Sequence, residues 1–181
     1  AYLNQLNLLV NDQFEILRHQ PFETEEDITR YFTLLPEGQL KTEYNAMMAE
    51  TDLEQKTRRQ DELRRLMKPG RINVNVMTKV DCTIDRVDNR MLDPDKTDAL
   101  NGLKGYGESD LQSSIIFSAG MNPRLYGAIA KYPDFFPDPS GEIKKQVVLK
   151  VSDYRSAAIQ GRFLVKKGIW VSEWRFESGL N

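Results

Sequence analysis

The 181-residue chain sets 25 Lys and Arg against 27 Asp and Glu, with 40% hydrophobic residues, one Cys and one His. That balance lacks the positive field that nucleic acid or an anionic membrane surface requires, apolar runs such as Leu6–Val10 are far too short to span a bilayer, and one Cys with one His cannot build a zinc site from those ligands. No basic stretch followed by an apolar one opens the chain and Cys82 has no cysteine partner, so a reducing, cytoplasmic setting is expected, with no metal, no nucleic acid and no membrane.

Tyr2, Leu3, Leu6, Leu9, Val10, Phe14 and Leu17 recur at helical spacing until Pro21, which cannot continue a helix. His19 falls at the end of this helix, where the dipole is negative. Thr24 with Asp27 reads as a variant capping box for a second helix, whose apolar face is Ile28, Tyr31, Phe32 and Leu35. Pro36-Glu37-Gly38 stops it. From Leu40 to Lys68 the helical stripe is thin (Tyr44, Met47, Met48, Leu53, Leu63, Leu66, Met67) and is broken at Thr51-Asp52, either of which suits a cap. The basic run Lys56 to Arg65 is interleaved with Glu54, Asp61 and Glu62, as on a solvated, self-paired helix face.

Pro69-Gly70 marks a boundary, giving a helical segment 1–70 and a β/α-alternating region 71–181. Ile72, Val74, Val76, Val80, Cys82 and Ile84 alternate with polar residues, the period of a strand with one buried face. That alternation leads us to expect Cys82 to be a buried apolar thiol rather than a reactive thiolate. A helix from Thr97 or Asp98 to Gly105 follows, then a strand at Ser113–Ser118, a helix from Pro123 to Tyr132, and a strand at Gln146–Val151. A helix from Tyr154 to Lys167, ended by Gly168, leads into a last strand at Ile169–Phe176. The order β-α-β-α-β-α-β implies an α/β fold with a mainly parallel sheet and right-handed crossovers. Four strands make either a small open sheet or part of a TIM-like barrel.

Parallel α/β sheets bind ligands beyond the carboxyl ends of their strands. Those positions include Lys79 after the first strand, Ser118 and Gly120 after the second, and Lys150 and Ser152 at the third. Glu173 and Arg175 lie on the fourth. Charges inside apolar strands cost free energy unless paired. Lys79, Lys150 and Arg175 can therefore gather an anionic group, with Glu173 as base or hydrogen-bond partner, or Lys150 and Glu173 can form a structural ion pair. Gly102, Gly105 and Gly107 are glycine-rich but follow a helix, the wrong context for a phosphate loop. Tyr132, Phe135, Phe136, Trp170 and Trp174 are expected in the core by size.

Three stretches, Arg71-Ile72-Asn73-Val74-Asn75-Val76-Met77-Thr78-Lys79-Val80-Asp81, Ser114-Ile115-Ile116-Phe117-Ser118-Ala119-Gly120-Met121-Asn122-Pro123-Arg124-Leu125-Tyr126 and Leu149-Lys150-Val151-Ser152-Asp153-Tyr154-Arg155-Ser156, carry a resemblance, joined by Trp170-Val171-Ser172-Glu173 and Glu177-Ser178-Gly179-Leu180-Asn181. They resemble a family of large bacterial proteins that look like flavin-type TIM barrels, similar to nitronate monooxygenases and the flavin domain of glutamate synthase. The resemblance covers most of 71–181. It implies part of an FMN-dependent oxidoreductase-like barrel, with Lys79, Lys150 and Glu173 as catalytic candidates. Ser118, Gly120, Lys150, Ser152 and Arg175 are then the cofactor-binding candidates. The family's glycine-rich stretch with a histidine and its later phosphate-binding glycines do not occur in this chain, so the resemblance implies fold more than a complete flavin site. It also implies self-association or a further C-terminal portion completing the barrel. The competing expectation is a non-catalytic assembly or scaffold protein whose polar helices dock on partners.

Overall fold

A computed structural model describes residues 1–77, 91, 93, 97–118 and 120–177. The chain divides into two compact units, Leu8–Gly70 on one hand and Ala1–Asn7 with Arg71–Asn181 on the other. Lys79, Cys82 and the rest of the alternating run after Met77 lie outside the described residues.

The first unit is helical: most of α1 (Tyr2–Arg18), then α2 (Asp27–Thr33), α3 (Gln39–Ala49) and α4 (Leu53–Leu66). Its core is Phe14, Ile28, Phe32, Tyr44, Met47, Leu63 and Met67, with the Phe32 and Tyr44 rings stacked 5.2 Å apart. Each such side chain contributes roughly 1.5–3 kcal/mol by leaving water, which compensates for a stripe that is thin in the sequence. Asp52 caps α4, its carboxylate accepting from the Glu54 and Gln55 amides at 2.9 and 3.0 Å. His19 Nδ1 lies 2.7 Å from the Glu15 carbonyl at the end of α1. The Thr24–Asp27 capping box does not form. Glu26 holds the cap position without a side-chain bond, and the Ile28 amide donates instead to Gln20 Oε1 at 3.1 Å, so a residue from the preceding helix end supplies the cap. Within the basic run Arg58 pairs with Glu54 at 3.5 Å, as its spacing implies, whereas Arg59 reaches outside the helix to Glu43 of α3 and Glu50 at its end, at 3.7 and 3.6 Å.

The second unit alternates: β1 (Val74–Val76), α5 (Asp98–Gly107), β2 (Ser114–Phe117), α6 (Pro123–Ile129), a 3-10 turn at Pro133–Phe135, β3 (Gln146–Val151), α7 (Tyr154–Val165) and β4 (Val171–Phe176). Among the described residues the four strands pair in parallel, in the order β1-β2-β3-β4. The expected α/β fold with an open parallel sheet is what forms; the sheet does not close into a barrel.

Register decides which side chains share a face. Val74, Ile115, Val147 and Val171 align in one row, and Val76, Phe117 and Leu149 in the next. These pack against Leu100, Leu103 and Tyr106 of α5, Leu125, Tyr126 and Ile129 of α6, and Leu164 of α7. The other face carries the row Asn75, Ile116, Val148 and Glu173, followed by Lys150 beside Arg175. A register shift between Val147 and Val148 moves β4 by one residue there. The aromatic expectation holds at Phe135, which is buried, and fails at Trp170, 66% exposed, and Trp174, 38% exposed. Trp170 precedes the strand and is not held by the ladder, whereas Trp174 lays its ring edge where a Cβ on Gly161 would stand.

Candidate functional site

Beyond the carboxyl ends of β2 and β3 lies a cavity of about 260 Å³. Ser118 and Gly120 line it from the turn after β2, Lys150 and Ser152 from β3 and its end, Ser156 and Gln160 from α7, and Glu177 from the end of β4. Four of the five sequence-designated binding residues therefore converge. Their convergence follows from topology, since parallel neighbours end on the same side of the sheet.

Each wall has a local cause. Gly120 has φ +85° with open space where a Cβ would stand, so the chain turns out of β2 in the left-handed region that glycine enters without strain. Asn122 then caps α6 by accepting from the Leu125 amide at 3.0 Å. Asp153 caps α7, accepting from the Ser156 amide at 2.7 Å and the Ser152 hydroxyl at 2.7 Å. These bonds, the Ser156 amide first, hold the Asp153 carboxyl below its usual range. The Glu177 amide donates to the Val151 carbonyl at 3.0 Å, carrying the β3–β4 pairing one step further and bringing the Glu177 side chain over the cavity.

The charges pair differently from the Lys150–Glu173 bridge. Lys150 Nζ meets Glu177 Oε1 at 2.7 Å, and Glu173 takes Arg175, Nε to Oε1 at 2.5 Å and Nη2 to Oε2 at 3.2 Å. The register sets Lys150 opposite Arg175, with Glu173 and Glu177 two residues to either side; Arg175 holds Glu173, and Lys150 takes Glu177. The Arg175 guanidinium holds the Glu173 carboxyl below its usual range, and a lower pKa makes a weaker base. Glu173 and Arg175 do not line the cavity. Of the three catalytic candidates, Lys150 is at the cavity, Glu173 is committed to Arg175, and Lys79 is outside the described residues.

Gln160 and Ser156 escaped the strand-end rule because they sit on the helix. Gln160 does carry a signal. It shares a face with the buried Ala157, Gly161 and Leu164 of α7, so a carboxamide stands where the period calls for an apolar residue. It is buried, and its Oε1 accepts from Tyr126 Oη at 2.5 Å. Burial drives the Tyr126 phenol well above its usual pKa, keeping it protonated to donate that bond.

The arrangement offers one ammonium, its paired carboxylate, one carboxamide and several hydroxyl oxygens around a space below the roughly 300–1,000 Å³ of a drug-sized pocket. Lys150 is the lining side chain that could serve as counter-charge to the anionic end of a cofactor; among the described residues the lining has no aromatic ring on which a flavin ring would stack. Among the described residues no group of three or more His, Cys, Asp or Glu gathers to hold a metal ion, and no helix is long and apolar enough to cross a membrane. No family model, curated protein or solved structure matches the chain.

Proposed function

We propose that the β/α unit binds a small anionic ligand at the carboxyl edge of its sheet, with Lys150 as the counter-charge, as the phosphate end of FMN would sit in a flavin-type oxidoreductase. The observation that carries this reading is the Lys150 ammonium with a carboxylate oxygen 2.7 Å away over the cavity. The lysine side chain is 21% exposed and that of its partner Glu177 60%, so the lysine is fixed in the wall while the carboxylate is free to leave. An incoming phosphate exchanges with Glu177 and exposes no unpaired buried charge.

The test is titration of the chain with FMN, riboflavin and inorganic phosphate, followed by calorimetry. FMN and phosphate are expected to bind in competition and riboflavin, which lacks the phosphate, to bind weakly. Lys150→Met should abolish both interactions. Equal binding of FMN and riboflavin, or binding indifferent to Lys150→Met, would remove the reading.

A second reading, self-assembly through the polar helices, draws on the independent core of Leu8–Gly70 and on Leu53 and Leu66, 80% and 55% exposed. Under it, mass in light scattering rises with concentration and Leu53→Asp with Leu66→Asp reverses the rise. A monomer at all concentrations excludes it.

A further inference from the structure

Hydrogen-bond bookkeeping in the same cavity narrows the ligand. A carboxamide offers one acceptor oxygen and two N–H donors. Gln160 is 4% exposed and its Oε1 is taken by Tyr126, which leaves its Nε2 as the part of the carboxamide open to the cavity that the side chain lines. That donor belongs to a side chain that lines the cavity, where a ligand atom can meet it.

The serines face the other way. Each hydroxyl has one proton and two lone pairs. Ser118 donates its proton to Asn75 Oδ1 at 2.7 Å. Ser152 and Ser156 donate theirs to Asp153 Oδ2, at 2.7 and 3.1 Å. All three protons are spent within the protein, so what these hydroxyls offer the cavity is lone pairs. With Glu177 exchanged for the ligand, the described lining side chains thus present one ammonium, one amide donor and three hydroxyl acceptor oxygens. A phosphate monoester dianion, whose oxygens only accept, matches the first two and is repelled by the last three.

Resting on the anion-site reading above, we infer that the ligand is a hydroxylated phosphate ester: its phosphate meets Lys150, and a neighbouring hydroxyl accepts from Gln160 Nε2 while donating to a serine Oγ. A hydroxyl is the group that both accepts and donates, and it completes both halves of the mismatch at once. Gln160 is then the residue that selects the ligand, and Lys150 the one that holds it.

Three probes separate this inference from the reading beneath it: inorganic phosphate, methyl phosphate and glycerol 3-phosphate, titrated calorimetrically into the whole chain. Glycerol 3-phosphate is expected to bind roughly tenfold tighter than methyl phosphate, the effect of one well-matched hydroxyl. Gln160→Met should collapse that ratio to near one and leave methyl phosphate within about twofold of its original affinity. Should Gln160→Met fold poorly by circular dichroism, Ser152→Ala, at an exposed position, should narrow the ratio without touching the core. Equal affinities for the two esters in the unaltered chain, or a ratio that survives both substitutions, would overturn the inference and leave the anion site standing. Loss of no binding in Lys150→Met, or no phosphate binding at all, would overturn the anion site and the inference with it.

Discussion

Lys150 and Arg175 stand directly opposite one another in the β3–β4 ladder, two like charges in register. Such pairs are destabilising unless screened. Here each cation has a carboxylate of its own, Glu177 for Lys150 and Glu173 for Arg175, so the ladder carries an alternation of charge rather than a repulsion. Glu177→Gln breaks that alternation on one side. The variant should lose about 0.5 kcal/mol or less of stability, as exposed pairs do, and should bind inorganic phosphate several-fold more tightly, because the competing carboxylate is gone. Thermal melting and phosphate calorimetry on the same variant check both directions; weaker phosphate binding would count against exchange at Lys150.

At the opposite end of the same sheet, Lys145 is 2% exposed, its ammonium 2.7 Å from Asp134 Oδ2 and 2.8 Å from the Ser109 carbonyl. The Tyr106 ring lies 5.8 Å away. Asp134→Ala leaves a buried cation with a carbonyl alone, and a loss of about 2 kcal/mol is expected, less than for a sealed pair because the carboxylate is partly wet. Lys145→Met, which removes the charge and keeps the volume, should cost less than Asp134→Ala. Urea unfolding of the two variants gives the ordering.

Burial pushes the Tyr106 phenol up to about 12 from an ordinary 10.0, and its hydroxyl donates to the Ser113 carbonyl at 2.7 Å. In the unfolded chain the phenol ionises near 10, in the folded chain later. The stabilisation is therefore complete below pH 10 and drains away as the pH rises towards 12. Phenolate absorbance of the native chain should show Tyr106 and Tyr126 titrating late, in step with loss of circular dichroism. Tyr106→Phe should flatten the alkaline fall in stability.

Gly107, the last residue of α5, has no room for a side chain: a Cβ there would stand 2.6–2.7 Å from three atoms of the Tyr132 ring, including the one nearest its own backbone. The ring cannot clear that space by moving its tip alone. Gly107→Ala is expected to destabilise by about 1–3 kcal/mol as an overpacked site, despite the better helix propensity of alanine. A higher melting temperature would mean that Tyr132 relocates freely.

Much of this was legible in the sequence for identifiable reasons. Ser114–Phe117 and Gln146–Val151 are bounded apolar runs, and strands form there. Asp52 and Pro21 mark helix limits through chemistry that acts within a turn. Ser118, Gly120, Lys150 and Ser152 could be found because strand direction alone places them together. What escaped was set by longer range. Which carboxylate Lys150 takes depends on Arg175 across the ladder holding Glu173, a pairing that no local pattern around Lys150 announces. The Ile28 cap comes from Gln20, a residue in the preceding turn, where a box motif looks only forward. Lys145 precedes its strand, and its burial depends on Asp134 eleven residues earlier. Gln160 was visible only as a polar interruption of a helical apolar face.

The consecutive strand order β1-β2-β3-β4 also sets a timetable for folding. Partners grow closer in sequence along the sheet, from a separation of 41 residues at Val74–Ile115 to 32 at Ile115–Val147 and 24 at Val147–Val171. By loop-closure entropy the last pairing is easier than the first by about 0.5 kcal/mol, and β3 brings the buried Val147, Val148, Leu149 and Val151 to it. The β3–α7–β4 unit is thus the natural nucleus, with β2 and then β1 added in reverse chain order. Pulsed hydrogen exchange should show amides of 146–176 protected before those of 74–76. A chain emerging from the ribosome would then hold its early strands unpaired until the late ones arrive, and would acquire its sheet from the end synthesised last.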